Sequence, residues 1–352
     1  MTEHADHPQN PDAPTRRRFL KQLGQGAVAA GAAGPLLADA KEPPADVPAG
    51  KIKYRTLGKT GLKVSEIGFG GHSWAYKRVP IGNGEYRQVN VDEATEMIRV
   101  GLDMGVNWLD SCTALEESGT PGEALKRLKR RDEAVISVRV SHKMNGNEND
   151  KQEVLDWAES RMKLWQTDCI DVLMLCNTEN DTPLTGYWDM SYSIEALEEL
   201  KKQGKIRYTG FGCHFTPKYF LEAFEKFGDY FDVCSLPYNI RHRAAEEIMP
   251  EAKKKNMGIV TIKPFARGSL LNKKDLEGAD KGLPRDMIRF VLENERVDCC
   301  TCGVHTVAQV LENFSASWTE LTPAARERLD QCSAMSLSAG EHAWLEKGWL
   351  HA

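Results

Sequence analysis

Gly105-Val-Asn-Trp-Leu-Asp-Ser-Cys112 is a short apolar run that ends in a carboxylate, Asp110. Gly122-Glu-Ala-Leu125 then opens a basic helix, and Val135-Ile-Ser-Val-Arg139 is a second apolar strand ending in a cation. Two strands joined by a helix predict a parallel βαβ unit. That layout sets Asp110 and Arg139 side by side at the carboxyl ends of neighbouring strands, where α/β enzymes place their chemistry.

The alternation continues outward in both directions. Lys53 to Leu57 and Leu62 to Val64, joined by Gly-Lys-Thr-Gly, predict a small hairpin. Ile67 to Gly71 is the first strand of the alternating series, and its paired glycines let backbone approach a ligand. Asn90, answered by Glu93, predicts a capped helix with Ala94, Met97, Ile98, Gly101 and Leu102 inward. Asp150 and Glu153 open the next helix. Strand four is Ile170 to Leu175, with Cys176 at its end, and strand five is Ile206 to Phe211. Thr216 caps a helix whose first residue is Pro217. Strands six and seven are Asp232 to Leu236 and Ile259 to Ile262, with a helix from about Ala244 to near Gly258 between them. The last pair is Cys299 to Cys302 with the helix opening at Thr306, and Pro323 to Cys332 adds one more helix. Eight strand–helix units predict an α/β chain closed as a (β/α)8 barrel, with the hairpin before it and extra helices after it.

At 352 residues, with 41% hydrophobic and 28% charged residues, the composition is that of a globular protein. A net charge of −5 leaves no basic excess to neutralise phosphates and argues against nucleic acid as a partner. The first forty residues read apart from the barrel. Thr15-Arg16-Arg17-Arg18-Phe19-Leu20-Lys21 fits the twin-arginine export pattern, Gly26 to Leu37 is weakly apolar, and Ala38-Asp39-Ala40 offers small residues for cleavage. This predicts a signal peptide over 1–40, a flexible leader over 41–50 and a single barrel domain over 51–352, with a periplasmic or otherwise exported location reached by the twin-arginine machinery and no stable membrane insertion. Nine cysteines are many for an oxidising compartment, and they are not spaced as a disulfide scaffold. Cys112, Cys176, Cys213 and Cys302 fall at or just past strand ends, with His142 and His214 near the same rim. Buried filler, a disulfide and a soft-metal site all remain open for them.

Several longer stretches carry a family likeness. Arg161-Met-Lys-Leu-Trp-Gln-Thr-Asp-Cys-Ile-Asp-Val-Leu-Met-Leu175, Gly204-Lys-Ile-Arg-Tyr-Thr-Gly210, Pro237-Tyr-Asn-Ile240, Lys263-Pro-Phe-Ala-Arg-Gly268 and the segment from Gly303 through Gln309 to Asn313 resemble the aldo/keto reductases. The resemblance runs from about Tyr54 to Asn313. It implies an NADP(H)-dependent oxidoreductase acting on a small carbonyl or quinone-like substrate. The dinucleotide's diphosphate would lie on the Lys263, Phe265 and Gly268 loop, and its adenosine phosphate near Gly303, His305, Thr306, Gln309 and Asn313.

The departures from the family cluster at the chemistry. The family's Tyr, Lys and His are replaced, with Ala114 or Leu115 at the Tyr position, Arg139 at the Lys position and Cys176 at the His position. Only Asp110 of the tetrad is kept. Gly212 and Cys213 stand for the Ser-Asn pair that holds the nicotinamide carboxamide, Ser235 for a Gln, and Ile262 for a stacking aromatic. Arginine keeps the charge but cannot relay a proton at neutral pH. The sequence is thus consistent with a reductase of altered chemistry on Asp110, Arg139 and Cys176, with a non-catalytic nucleotide- or ligand-binding barrel, or with a thiol or metal centre.

Overall fold

A computed structural model describes residues 51–112, 118–141, 146–177, 189–213, 217–271 and 282–334. The export segment, the leader, Ala114, Leu115, His142, His214, Thr216 and the carboxyl tail lie outside them, as does the side chain of Cys213. The strands in chain order are β1 Tyr54–Thr56, β2 Lys63–Ser65, β3 Ile67–Phe69, β4 Val79–Gly82, β5 Glu85–Arg87, β6 Trp108–Asp110, β7 Val135–Ser141, β8 Ile170–Asn177, β9 Ile206–Cys213, β10 Val233–Pro237, β11 Gly258–Ile262 and β12 Cys299–Cys302. The helices are α1 His72–Ala75, α2 Val91–Met104, α3 Thr120–Leu128, α4 Glu148–Trp165, α5 Ser191–Lys202, α6 Pro217–Phe227, α7 Ala245–Lys254, α8 Leu283–Glu293, α9 Val307–Phe314 and α10 Pro323–Ala334.

Eight strands close a barrel in the order β10-β11-β12-β3-β6-β7-β8-β9. Its neighbouring strands all pair parallel, with Asp110 opposite Ser137 and Cys176 opposite Gly212. This is the (β/α)8 barrel the alternation predicts. The fully buried strands read as apolar runs because helices cover one face and the barrel core the other. One end of that core is closed by the β1–β2 hairpin, whose Leu57 and Val64 pack with Trp108, Val172, Val233 and Val260.

Local signals explain the helices that carry the barrel. Asn90 and Glu93 make the reciprocal capping box, with Glu93 N–H to Asn90 Oδ1 and Asn90 N–H to Glu93 Oε2 both at 2.9 Å. Helix α2 then stops at Gly105, whose φ of 97° is open to glycine at little cost. Helix α7 carries Pro250 within its span, which its periodicity did not announce. Among the described residues no helix is long and apolar enough to cross a membrane.

Several boundaries differ from the sequence reading. Strand β7 does not end at Arg139 but runs on to Ser141, because the ladder with β8 continues to the pair Ser141–Cys176. For the same reason Cys176 lies within β8, not past it. Helix α4 starts at Glu148 behind an Asn147 cap, two residues before Asp150. A second hairpin, β4–β5, was not anticipated. Its turn is Asn83-Gly84, with φ of 52° and 77°, the dipeptide that a tight hairpin turn favours.

Candidate active site

One cavity of about 360 Å³ opens at the carboxyl ends of the strands, within the range of small-molecule sites. Its floor is built by three neighbouring strands of the barrel. Asp110 ends β6, Arg139 stands near the end of β7, and Cys176 near the end of β8; all three border the cavity. Backbone contacts fix this floor. The Trp74 indole donates to the Asp110 carbonyl at 3.0 Å, and Ser111 N–H to the Ser137 carbonyl at 2.8 Å. Gly71 allows the β3 end to press on β6, since a Cβ there would lie 2.3 Å from Cys112 N.

Asp110 and Arg139 form the predicted ion pair. Arg139 Nη2 and Nε donate to the same oxygen, Asp110 Oδ2, at 2.7 and 3.2 Å. The residues are 2% and 5% exposed, so water does little to screen them. Burial pushes the Asp110 carboxyl up, and the guanidinium opposes that shift. Cys176 is equally buried. Burial lifts its thiol to about 11 despite Arg139 and Lys263 nearby, so it stays neutral at physiological pH.

Arg139 also accounts for Gly212. A Cβ at 212 would lie 3.3 Å from Arg139 Nη1 and 3.0 Å from the Ser235 Cβ. Ser235 and the guanidinium head together crowd this position, and a serine there would have to displace one of its neighbours.

The cavity's second wall is the loop after β11. Lys263, Phe265 and Gly268 all line it. Lys263 and Ala266 hold left-handed φ values of 60° and 47°, and Gly268 one of 94°. Two non-glycine residues in that region within four positions mark a loop held in shape by its surroundings. The segment after β10 does part of the holding. Asn239, fully buried, donates to the Lys263 carbonyl at 3.0 Å, and Tyr238 N–H to the Ile262 carbonyl at 3.1 Å.

The third wall follows β12, with Gly303, His305, Gln309 and Asn313 lining it. Thr306 caps helix α9 by accepting from Gln309 N–H at 3.2 Å, while Gln309 Oε1 accepts from His305 N–H at 2.7 Å. This is a helix start with a favourable dipole for an anion. His305 Nε2 meets the His72 carbonyl at 3.2 Å, and burial lowers its basicity.

Gly212, Ser235 and Thr306 are not among the residues lining the cavity. Sequence reasoning missed His72, Arg78 and Pro284, which are. His72 directly follows the glycine pair, and that pair was the available signal. Among the described residues eight cysteines are free thiols, and no group of three or more His, Cys, Asp or Glu could hold a metal ion.

Fold and cleft together define an α/β-barrel protein with its site at the strand carboxyl ends, of the kind that serves many barrel enzymes. The aldo/keto reductase family model matches residues 66–287, more than half of the chain, and the chain belongs to that family of oxidoreductases. L-galactose dehydrogenase from Arabidopsis thaliana is 26% identical over 298 residues, covering 76% of this chain and 88% of that protein. A probable voltage-gated potassium channel subunit beta from the same plant is 29% identical over 258 residues, covering 69% and 71% of the two chains. Among solved structures, the aldo-keto reductase AKR11C1 from Bacillus halodurans superposes with a TM-score of 0.59 at 24% identity, covering 82% of this chain and 99% of its own; that likeness bears on the fold.

Proposed function

We propose that this chain is an exported NADP(H)-dependent reductase with an altered centre, acting on quinone-like acceptors in preference to simple aldehydes. The observation that carries this is the composition of the floor: a guanidinium, its carboxylate partner and the neutral Cys176 thiol, with no tyrosine among the described residues lining the cavity. The remaining walls fit the cofactor. Lys263 and the left-handed loop to Gly268 would take the diphosphate, and the Thr306 helix start the adenosine phosphate. When bound, the nicotinamide supplies the hydride.

Substrate class follows from product basicity. An alkoxide is about as strong a base as hydroxide. It does not leave unless an acid protonates it, a contribution worth roughly 10²–10⁴-fold. A hydroquinone monoanion is a phenolate, with a pKa of about 10. It can form and leave without a general acid. NADPH oxidation is therefore expected to be brisk with quinones and slower with simple aldehydes by roughly that 10²–10⁴ factor. Brisk aldehyde reduction would overturn this and point to His72, which borders the cavity, as a proton source. Nucleotide binding with no turnover of any acceptor favours the second reading, a binding barrel, which the loss of three tetrad residues motivates.

The export part rests on Arg16-Arg17 and Ala38-Asp39-Ala40. Folded export would let the barrel load its nucleotide in the cytoplasm. Changing Arg16 and Arg17 to Lys is expected to leave the precursor in the cytoplasm. Mature protein still found outside the inner membrane by fractionation would rule out the twin-arginine route.

A further inference from the structure

We infer that Arg139 is more than the partner of Asp110: its third nitrogen anchors the acceptor's oxygen as negative charge develops there. This rests on the reductase reading above. Two of the guanidinium's three nitrogens, Nε and Nη2, are spent on a single carboxylate oxygen. Nη1 has no acceptor among the described residues, although Arg139 is 5% exposed and borders the cavity. Nη1 is not cut off from the cavity, so an oxygen of solvent or of a bound ligand can accept from it there.

Gly212 points the same way from an independent direction. Its missing side chain leaves room for the Nη1 edge, since a Cβ would come within 3.3 Å of that nitrogen. Had the pair with Asp110 been all the site required, a lysine could have made it with one nitrogen. The thiol of Cys176 beside it is neutral, so it does not compete for the cation.

The chemistry balances without a proton from the protein. The hydride and its electron pair pass from NADPH to the quinone, leaving oxidised nucleotide and a hydroquinone monoanion. Nη1–H donates to the oxygen that gains the charge. Water protonates the anion after release. A group that is always protonated suits this task, because it stabilises charge without having to give up its own proton.

The test is Arg139→Lys in the full-length protein. Lysine keeps the ion pair with Asp110 but offers no second nitrogen in the guanidinium plane. Quinone kcat/KM is expected to fall by roughly 10- to 100-fold, the size of a lost charge-assisted hydrogen bond. The fall should be steeper for acceptors whose hydroquinones are less acidic, while NADPH affinity, followed by fluorescence titration, holds. Unchanged turnover, or an equal loss for every acceptor, overturns the anchor and leaves the reductase reading standing. A wild-type protein that binds no NADPH or reduces no quinone overturns that reading, and the anchor with it. Arg139→Ala supplies a second arm if it folds. Added guanidinium should restore part of its quinone turnover, and failure to restore any counts against the anchor.

Discussion

Arg139→Ala is expected to lower stability by about 3–5 kcal/mol, the usual effect of removing one member of a buried ion pair. For a chain of this size that is a fall in Tm of the order of 10 °C. The reason is the carboxylate left behind. Asp110 is 2% exposed, and burial already pushes its carboxyl up. Without Arg139 it must either hold a charge away from water or take up a proton. Changing both together, Asp110→Asn with Arg139→Met, should recover much of the loss, because no charge is then stranded. Cys176→Ala, on the same cavity floor, should cost only about 1 kcal/mol, since its thiol is neutral and small. A melt of Arg139→Ala that matches wild type would mean the pair contributes nothing to the fold.

That pair also shows how far the chain could be read from its letters. Asp110 and Arg139 each end an apolar run, and a parallel βαβ unit can only set such ends next to one another. Their contact was therefore legible, and so were the eight strands and the capped start at Asn90. Strand ends were less so. The extension of β7 to Ser141 depends on its pairing with Cys176 of β8, a partner that periodicity along one segment does not reveal. The steric link between Gly212 and Arg139 spans more than seventy positions and exists only once β7 to β10 are side by side. The β4–β5 hairpin had a local signal, Asn83-Gly84, but lies in the connection after the first barrel strand, where a regular alternation of strand and helix leads the reader to expect a plain loop. His72 and Arg78 reach the cavity from that same connection, and its path cannot be inferred from spacing.

Lys263→Glu carries the other large effect. Lys263 lines the cavity at the start of a loop bent by three left-handed residues, and its carbonyl is tied down by Asn239. The tie is to main chain, so the substitution should leave the loop's path in place and reverse the charge it presents. In the proposed complex that charge faces phosphate. Two unit charges near 4 Å interact by roughly 4 kcal/mol at an effective dielectric of about 20, an upper-end figure for a partly exposed group. Every 1.4 kcal/mol is about tenfold in affinity, so NADPH should bind on the order of 100- to 1,000-fold more weakly. Salt should narrow the gap, because the charge is not fully screened from solvent ions. Lys254→Glu makes the same change in net charge on helix α7, at a residue that does not line the cavity, and should leave affinity within a few-fold of wild type. The comparison is read by calorimetry at low and moderate salt, alongside thermal melts of both variants without nucleotide. Equal NADPH affinity in wild type and Lys263→Glu would remove the diphosphate from this loop. An equal loss in both variants would reduce the effect to overall charge.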